Sequence, residues 1–78
     1  MYFQNDSQLY SVIGKNIKRY RTAAQLTQTQ FADKLGISLS YLTKIESAKC
    51  DKSMSLSSLN HIANTLTIEI TDLFEECD

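Results

Sequence analysis

The stretch Leu26-Thr27-Gln28-Thr29-Gln30-Phe31-Ala32-Asp33-Lys34-Leu35-Gly36-Ile37-Ser38-Leu39-Ser40-Tyr41-Leu42-Thr43-Lys44-Ile45-Glu46 decides the fold. It spells two short helices separated by a three-residue turn. Thr27 caps the first, and Gln30, three residues on, reaches back to the Thr27 backbone N–H, which is the capping-box pattern. Leu26 before the cap and Phe31 after it are placed to clasp as a hydrophobic staple. Ala32 and Leu35 continue the apolar stripe, and Gly36 supplies the left-handed residue that ends a helix. Ile37 and Leu42 repeat the staple around a second cap at Ser38, so a new helix is predicted from about Leu39 to Glu46.

Helical spacing sorts that second helix into faces. Leu42 and Ile45 point back onto Phe31 and Leu35, while Leu39, Ser40, Thr43 and Lys44 share the outward side. A face that needs only solubility ordinarily carries several long charged side chains. This one carries an apolar residue, two hydroxyls and a single lysine. A slim, hydrogen-bonding helix of that kind fits the major groove of DNA, against the plainer alternative of a solvated surface.

Length and charge restrict what surrounds the pair. Seventy-eight residues make one small domain. No run of 18 apolar residues exists, so no membrane span is expected. The opening Met1-Tyr2-Phe3-Gln4-Asn5-Asp6 lacks the layout of a secretion signal, and a cytoplasmic location follows as the expectation. Cys50 and Cys77 are isolated and there is one histidine, so neither a metal site nor a cofactor is expected. A disulfide between the two cysteines stays open beside the expectation of reduced thiols. Net charge is −1, yet its distribution is uneven. All eight cations lie within residues 15–52, where only Asp33, Glu46 and Asp51 oppose them, giving +5. From Ser53 onward there are five carboxylates and no cation, giving −5. A basic face and an acidic far side are implied.

The rest reads as scaffold. Residues 1–7 form a flexible arm and residues 8–78 the single domain. A stripe of Leu9, Val12, Ile13, Ile17 and Tyr20 signals a helix from about Gln8 to Ala24, with Ser7 as its cap. Gly14 inside that stripe costs about 1 kcal/mol relative to alanine, which implies close approach of another backbone. Leu56, Leu59, Ile62, Ala63 and Leu66 mark a fourth helix after a polar loop. Ile68 and Ile70 lead into a last short helix from about Thr71, with Leu73 and Phe74. Absence of proline suits such a bundle. The prediction is an all-α, five-helix domain.

With those helices placed, the chain resembles the Cro/repressor, or XRE, family of helix-turn-helix regulators with the lambda-repressor-like fold. The resemblance covers roughly residues 9–74. It rests on Ile13-Gly14-Lys15-Asn16-Ile17-Lys18-Arg19-Tyr20-Arg21, on Leu26-Thr27-Gln28, on Phe31-Ala32-Asp33-Lys34-Leu35-Gly36-Ile37-Ser38 and on Tyr41-Leu42-Thr43-Lys44-Ile45-Glu46. Leu59, Ile62-Ala63, Leu66 and Asp72-Leu73-Phe74 follow in the same order and spacing.

The resemblance implies roles. Leu39, Ser40, Thr43 and Lys44 would read base edges. Gln28, at the start of the second helix, would hold a phosphate, an arrangement the helix dipole favours. Tyr41, Lys49 and Lys52 would flank it on the backbone. Arg21 and Glu46 match a structural ion pair tying the first helix to the third. Departures are Ala48 and Thr67 where glycines are usual, and a segment Cys50–Ser55 about two residues longer than usual without its common proline. Nothing resembles a nucleophile, a paired carboxylate site or a phosphate-cradling glycine loop, and His61 stands without a second ligand, so no catalytic residue is expected. The expected function is sequence-specific binding of double-stranded DNA as a transcriptional repressor or autoregulator, a homodimer on a palindromic operator. The alternative is an antitoxin or anti-regulator that works mainly by gripping a protein partner.

Overall fold

A computed structural model of the chain describes residues 3–47 and 54–75. Four α-helices follow in order: α1 (Asp6–Ala23), α2 (Gln28–Leu35), α3 (Leu39–Glu46) and α4 (Leu56–Leu66). The fifth element, Ile70–Phe74, is a 3-10 helix, so the expected fifth α-helix is absent among the described residues. Five residues are too few for more than a single tight turn of i→i+3 bonding. No strand occurs among the described residues.

The two central helices form as their spelling dictates. The Thr27 hydroxyl accepts from the Gln30 backbone N–H at 3.1 Å, and the Gln30 side chain accepts from the Thr27 N–H at 2.9 Å. Gly36 closes α2 at φ +74°, where a side chain would be strained. The N–H groups of Gly36 and Ile37 both reach back to the Ala32 carbonyl. Ser38 then caps α3 by accepting from the Tyr41 N–H at 3.1 Å. Leu26 and Ile37, one beside each cap, pack against the core.

Helix α1 starts earlier than its apolar stripe suggests. Asn5, and not Ser7, is the cap: its side-chain oxygen accepts from the Gln8 N–H at 2.9 Å. Both residue types cap well, and the earlier cap places Asp6 in the first turn, where a carboxylate meets the positive end of the helix dipole. Helix α4 closes at Thr67, which adopts φ +59°, a left-handed backbone that a β-branched residue takes up only under strain.

Between these helices lies one core. Ile13 and Ile17 come from α1, Phe31, Ala32 and Leu35 from α2, Leu42 and Ile45 from α3. Leu59, Ile62, Ala63 and Leu66 of α4 and Leu73 of the 3-10 helix complete it. Leu56, expected on the α4 stripe, is 72% exposed at the first residue of that helix. Leu73, from the short last element, is fully buried and belongs to the core.

Two contacts on α1 fix α3 and the 3-10 end against it. A Cβ built on Gly14 would collide with the Ile45 carbonyl oxygen, so the backbone of α3 presses directly on α1, the close approach that the glycine implied. Asn16 is fully buried, and its Nδ2 donates to the carbonyls of Leu73 at 2.8 Å and Glu75 at 2.6 Å. Its amide end must face them, since carbonyls only accept. Residues 14 and 16 lie roughly 200° apart around a helix. The end of α3 and the acidic 3-10 end therefore flank α1 from opposite sides.

Candidate nucleic-acid interface

The turn Gly36–Ser38 throws α3 across α2, and the buried Leu42 and Ile45 fix which side of α3 looks outward. Leu39, Ser40, Thr43 and Lys44 are all exposed, Leu39 by 44%. The structure thus brings the four expected base-reading residues together on one open face. Thr43 Oγ1 donates to the Ser40 carbonyl at 2.8 Å, and Ser47 Oγ donates to the Lys44 carbonyl at 2.8 Å. Tyr41 sits beside this face, half-buried and packed on the core.

At the C-terminal end of α3 lies a buried polar knot. Arg21 Nε donates to Glu46 Oε2 at 2.7 Å and Nη2 donates to Oε1 at 3.1 Å, a forked pairing that matches guanidinium to carboxylate. Arg21 Nη1 donates to the Leu26 carbonyl at 2.7 Å. The side chains of Arg21 and Glu46 are only 8% and 3% exposed. The ion pair expected between α1 and α3 is present, and it also grips the segment entering α2.

Gln28 belongs to this knot, which the sequence did not suggest. Its Nε2 donates to Glu46 Oε1 at 3.1 Å. A carboxylate only accepts, so Glu46 dictates that the amide turns its NH2 end inward. Nε2 retains a second proton, and the N–H groups of the first turn of α2 lack intrahelical acceptors. Gln30 and Phe31 are satisfied by Thr27. Lys49 and Lys52, like Cys50, Cys77 and Ala48, lie outside the described residues.

Other charges follow the sidedness of the sequence. Lys15, Lys18, Arg19, Lys34 and Lys44 are exposed on α1, α2 and α3, whereas exposed Glu69 and Glu75 and half-buried Asp72 cluster at the 3-10 end. His61 Nε2 lies 3.0 Å from the Leu35 carbonyl, bracing α4 against the end of α2, a structural use of that residue. Asn16 is the other residue to which sequence reasoning gave no role. A lone asparagine within the Ile13–Ile17–Tyr20 stripe was the available signal. Among the described residues no cluster suited to a metal ion occurs and no helix is long and apolar enough to cross a membrane.

A two-helix unit with an open polar face on a four-helix body defines a class, and the comparisons agree with it. The profile of the helix-turn-helix family matches residues 17–73, and the chain belongs to the XRE-type helix-turn-helix family of DNA-binding transcription regulators. Over 64 residues it is 38% identical to the immunity repressor protein of Bacillus phage phi105, a match covering 82% of this chain and 43% of the repressor. The chain therefore corresponds to less than half the length of that relative. The restriction-modification controller protein C.AhdI of Aeromonas hydrophila superposes with a TM-score of 0.74 at 29% identity, over 83% of this chain and 96% of that one. The hypothetical transcription factor NHTF from Neisseria superposes with a TM-score of 0.80 at 18% identity, over 97% and 85% of the two chains, and shares the fold.

Proposed function

We propose that the chain is a sequence-specific repressor or autoregulator that inserts α3 into the major groove as a cytoplasmic homodimer on a palindromic operator. The observation that carries this reading is the exposure of Leu39, Ser40, Thr43 and Lys44 on one side of α3, with a buried knot at its C-terminal end that fixes the helix. Lys44 donates to guanine O6 and N7, and Leu39 meets a thymine methyl. Gln28 offers its second amide proton and the α2 N-terminus to a phosphate, with Tyr41, Lys49 and Lys52 as further backbone contacts.

One such domain covers little DNA, so a two-fold dimer is the route to useful affinity. Half-buried Ile68, Ile70 and Phe74, beside an open groove floored by Asn64 and Thr67, are the self-association candidates. Half-sites are then centred about one helical turn apart, on the order of 10 bp.

Selection of bound sites from random duplex DNA tests both claims. Paired half-sites are expected, and Lys44→Ala abolishes enrichment while leaving the melting temperature unchanged. A saturated footprint with one unpaired half-site disposes of the dimer. About six phosphate contacts give a log–log salt slope near −5; a slope near zero favours instead the antitoxin-like, protein-partner reading.

A further inference from the structure

The hydrogen bond inside the recognition helix narrows what one reading residue accepts. A threonine hydroxyl has one proton and two lone pairs. Thr43 has already committed its proton to the Ser40 carbonyl at 2.8 Å, within its own helix. What Thr43 turns to solvent is therefore an acceptor oxygen and a methyl group. In the major groove, guanine presents O6 and N7 and thymine presents O4, all acceptors, whereas adenine N6 and cytosine N4 carry amino donors. An acceptor facing an acceptor repels, and turning the hydroxyl to donate would break a bond already in place. Lys44, the next residue, is the reverse case, with three donors and no acceptor.

We propose that Thr43 is an acceptor-only specificity residue that selects a base bearing an exocyclic amino group, adenine or cytosine, at one position of each half-site. The proposal rests on the reading of α3 as the groove-inserted helix. It adds to that reading the hydrogen-bonding polarity at its central position, between Leu39 one turn earlier and Lys44 beside it. Thr43 is exposed and touches no core residue by its hydroxyl, so its replacement leaves the buried knot intact.

Site selection with the full chain, with Thr43→Val and with Thr43→Ser provides the test. The wild type enriches adenine or cytosine over guanine and thymine at one position by about five- to tenfold, the strength of a single net hydrogen bond in a groove. Thr43→Val, which keeps the shape and loses the acceptor, flattens that position alone. Thr43→Ser keeps the preference. A second measurement removes the amino group from the DNA, with purine for adenine or 2-pyrimidinone for cytosine at that position. The wild type then loses affinity by a similar factor and Thr43→Val loses none. The proposal is overturned by a Thr43→Val chain with wild-type preferences at every position. Wild-type affinity indifferent to amino deletion, or equal losses in both proteins, overturns it too. A wild-type chain that enriches no sequence refutes the groove reading beneath it.

Discussion

Replacing Arg21 by alanine removes three hydrogen bonds at once: two to Glu46 and one to the Leu26 carbonyl. Among the described residues, the Glu46 carboxylate, 3% exposed, then keeps only the Gln28 amide as a donor. Stranding one member of a buried pair costs about 3–5 kcal/mol. The whole stability of a chain this size is about 4–12 kcal/mol on a per-residue scale, so Arg21→Ala should melt about 15–30 °C lower than wild type. Urea unfolding followed by far-ultraviolet circular dichroism reads the loss as a lower midpoint at unchanged slope. DNA affinity is expected to fall with it. Arg21→Lys recovers little, because an ammonium lacks the fork that meets both carboxylate oxygens. The double variant Arg21→Met with Glu46→Leu removes both charges and should regain most of the loss. A single variant within about 0.5 kcal/mol of wild type, an ordinary surface-substitution value, would show that the pair carries no structural weight and refute this reasoning.

Three further outcomes follow from the packing. Gly14→Ala, although alanine favours helices, should destabilise by about 1–2 kcal/mol net in urea unfolding, because backbone meets backbone there and no rotamer relieves the clash. A more stable Gly14→Ala protein would contradict the contact. Thr67→Gly should raise the melting temperature by relieving about 1 kcal/mol of left-handed strain, and a lower one would contradict the strain. Asn16→Ala strands the Leu73 and Glu75 carbonyls, costing about 2 kcal/mol; amide exchange should quicken over residues 70–75, and unchanged protection there would dismiss the latch.

Local spelling made the central unit legible. Thr27, Gln30, Gly36 and Ser38 act through residues three or four away, so their roles are written in the sequence next to them. Gly14 was legible as a need for closeness, but not its partner, Ile45, 31 residues on. The hold of Glu46 on Gln28 bridges 18 residues and that of Asn16 on Leu73 bridges 57, distances over which periodicity carries no information. Composition does not place the start of α1, because Asn5 and Ser7 are interchangeable as caps and only the folded chain chooses between them. Arg21 and Glu46 came from family likeness and not from the residues themselves, since nothing local marks a distant ion pair.

Arg21 clasps the tail of α3, the approach to α2 and, through Glu46, the first residue of α2 itself. Under the proposed reading of α3 as the groove-inserted helix, the reading head is consequently a tool without a joint. Where its contour and that of an operator disagree, compliance has to come from the nucleic acid, by kinking or changes in groove width. Untouched base pairs would then influence affinity through their stiffness alone, with pyrimidine–purine steps yielding most readily.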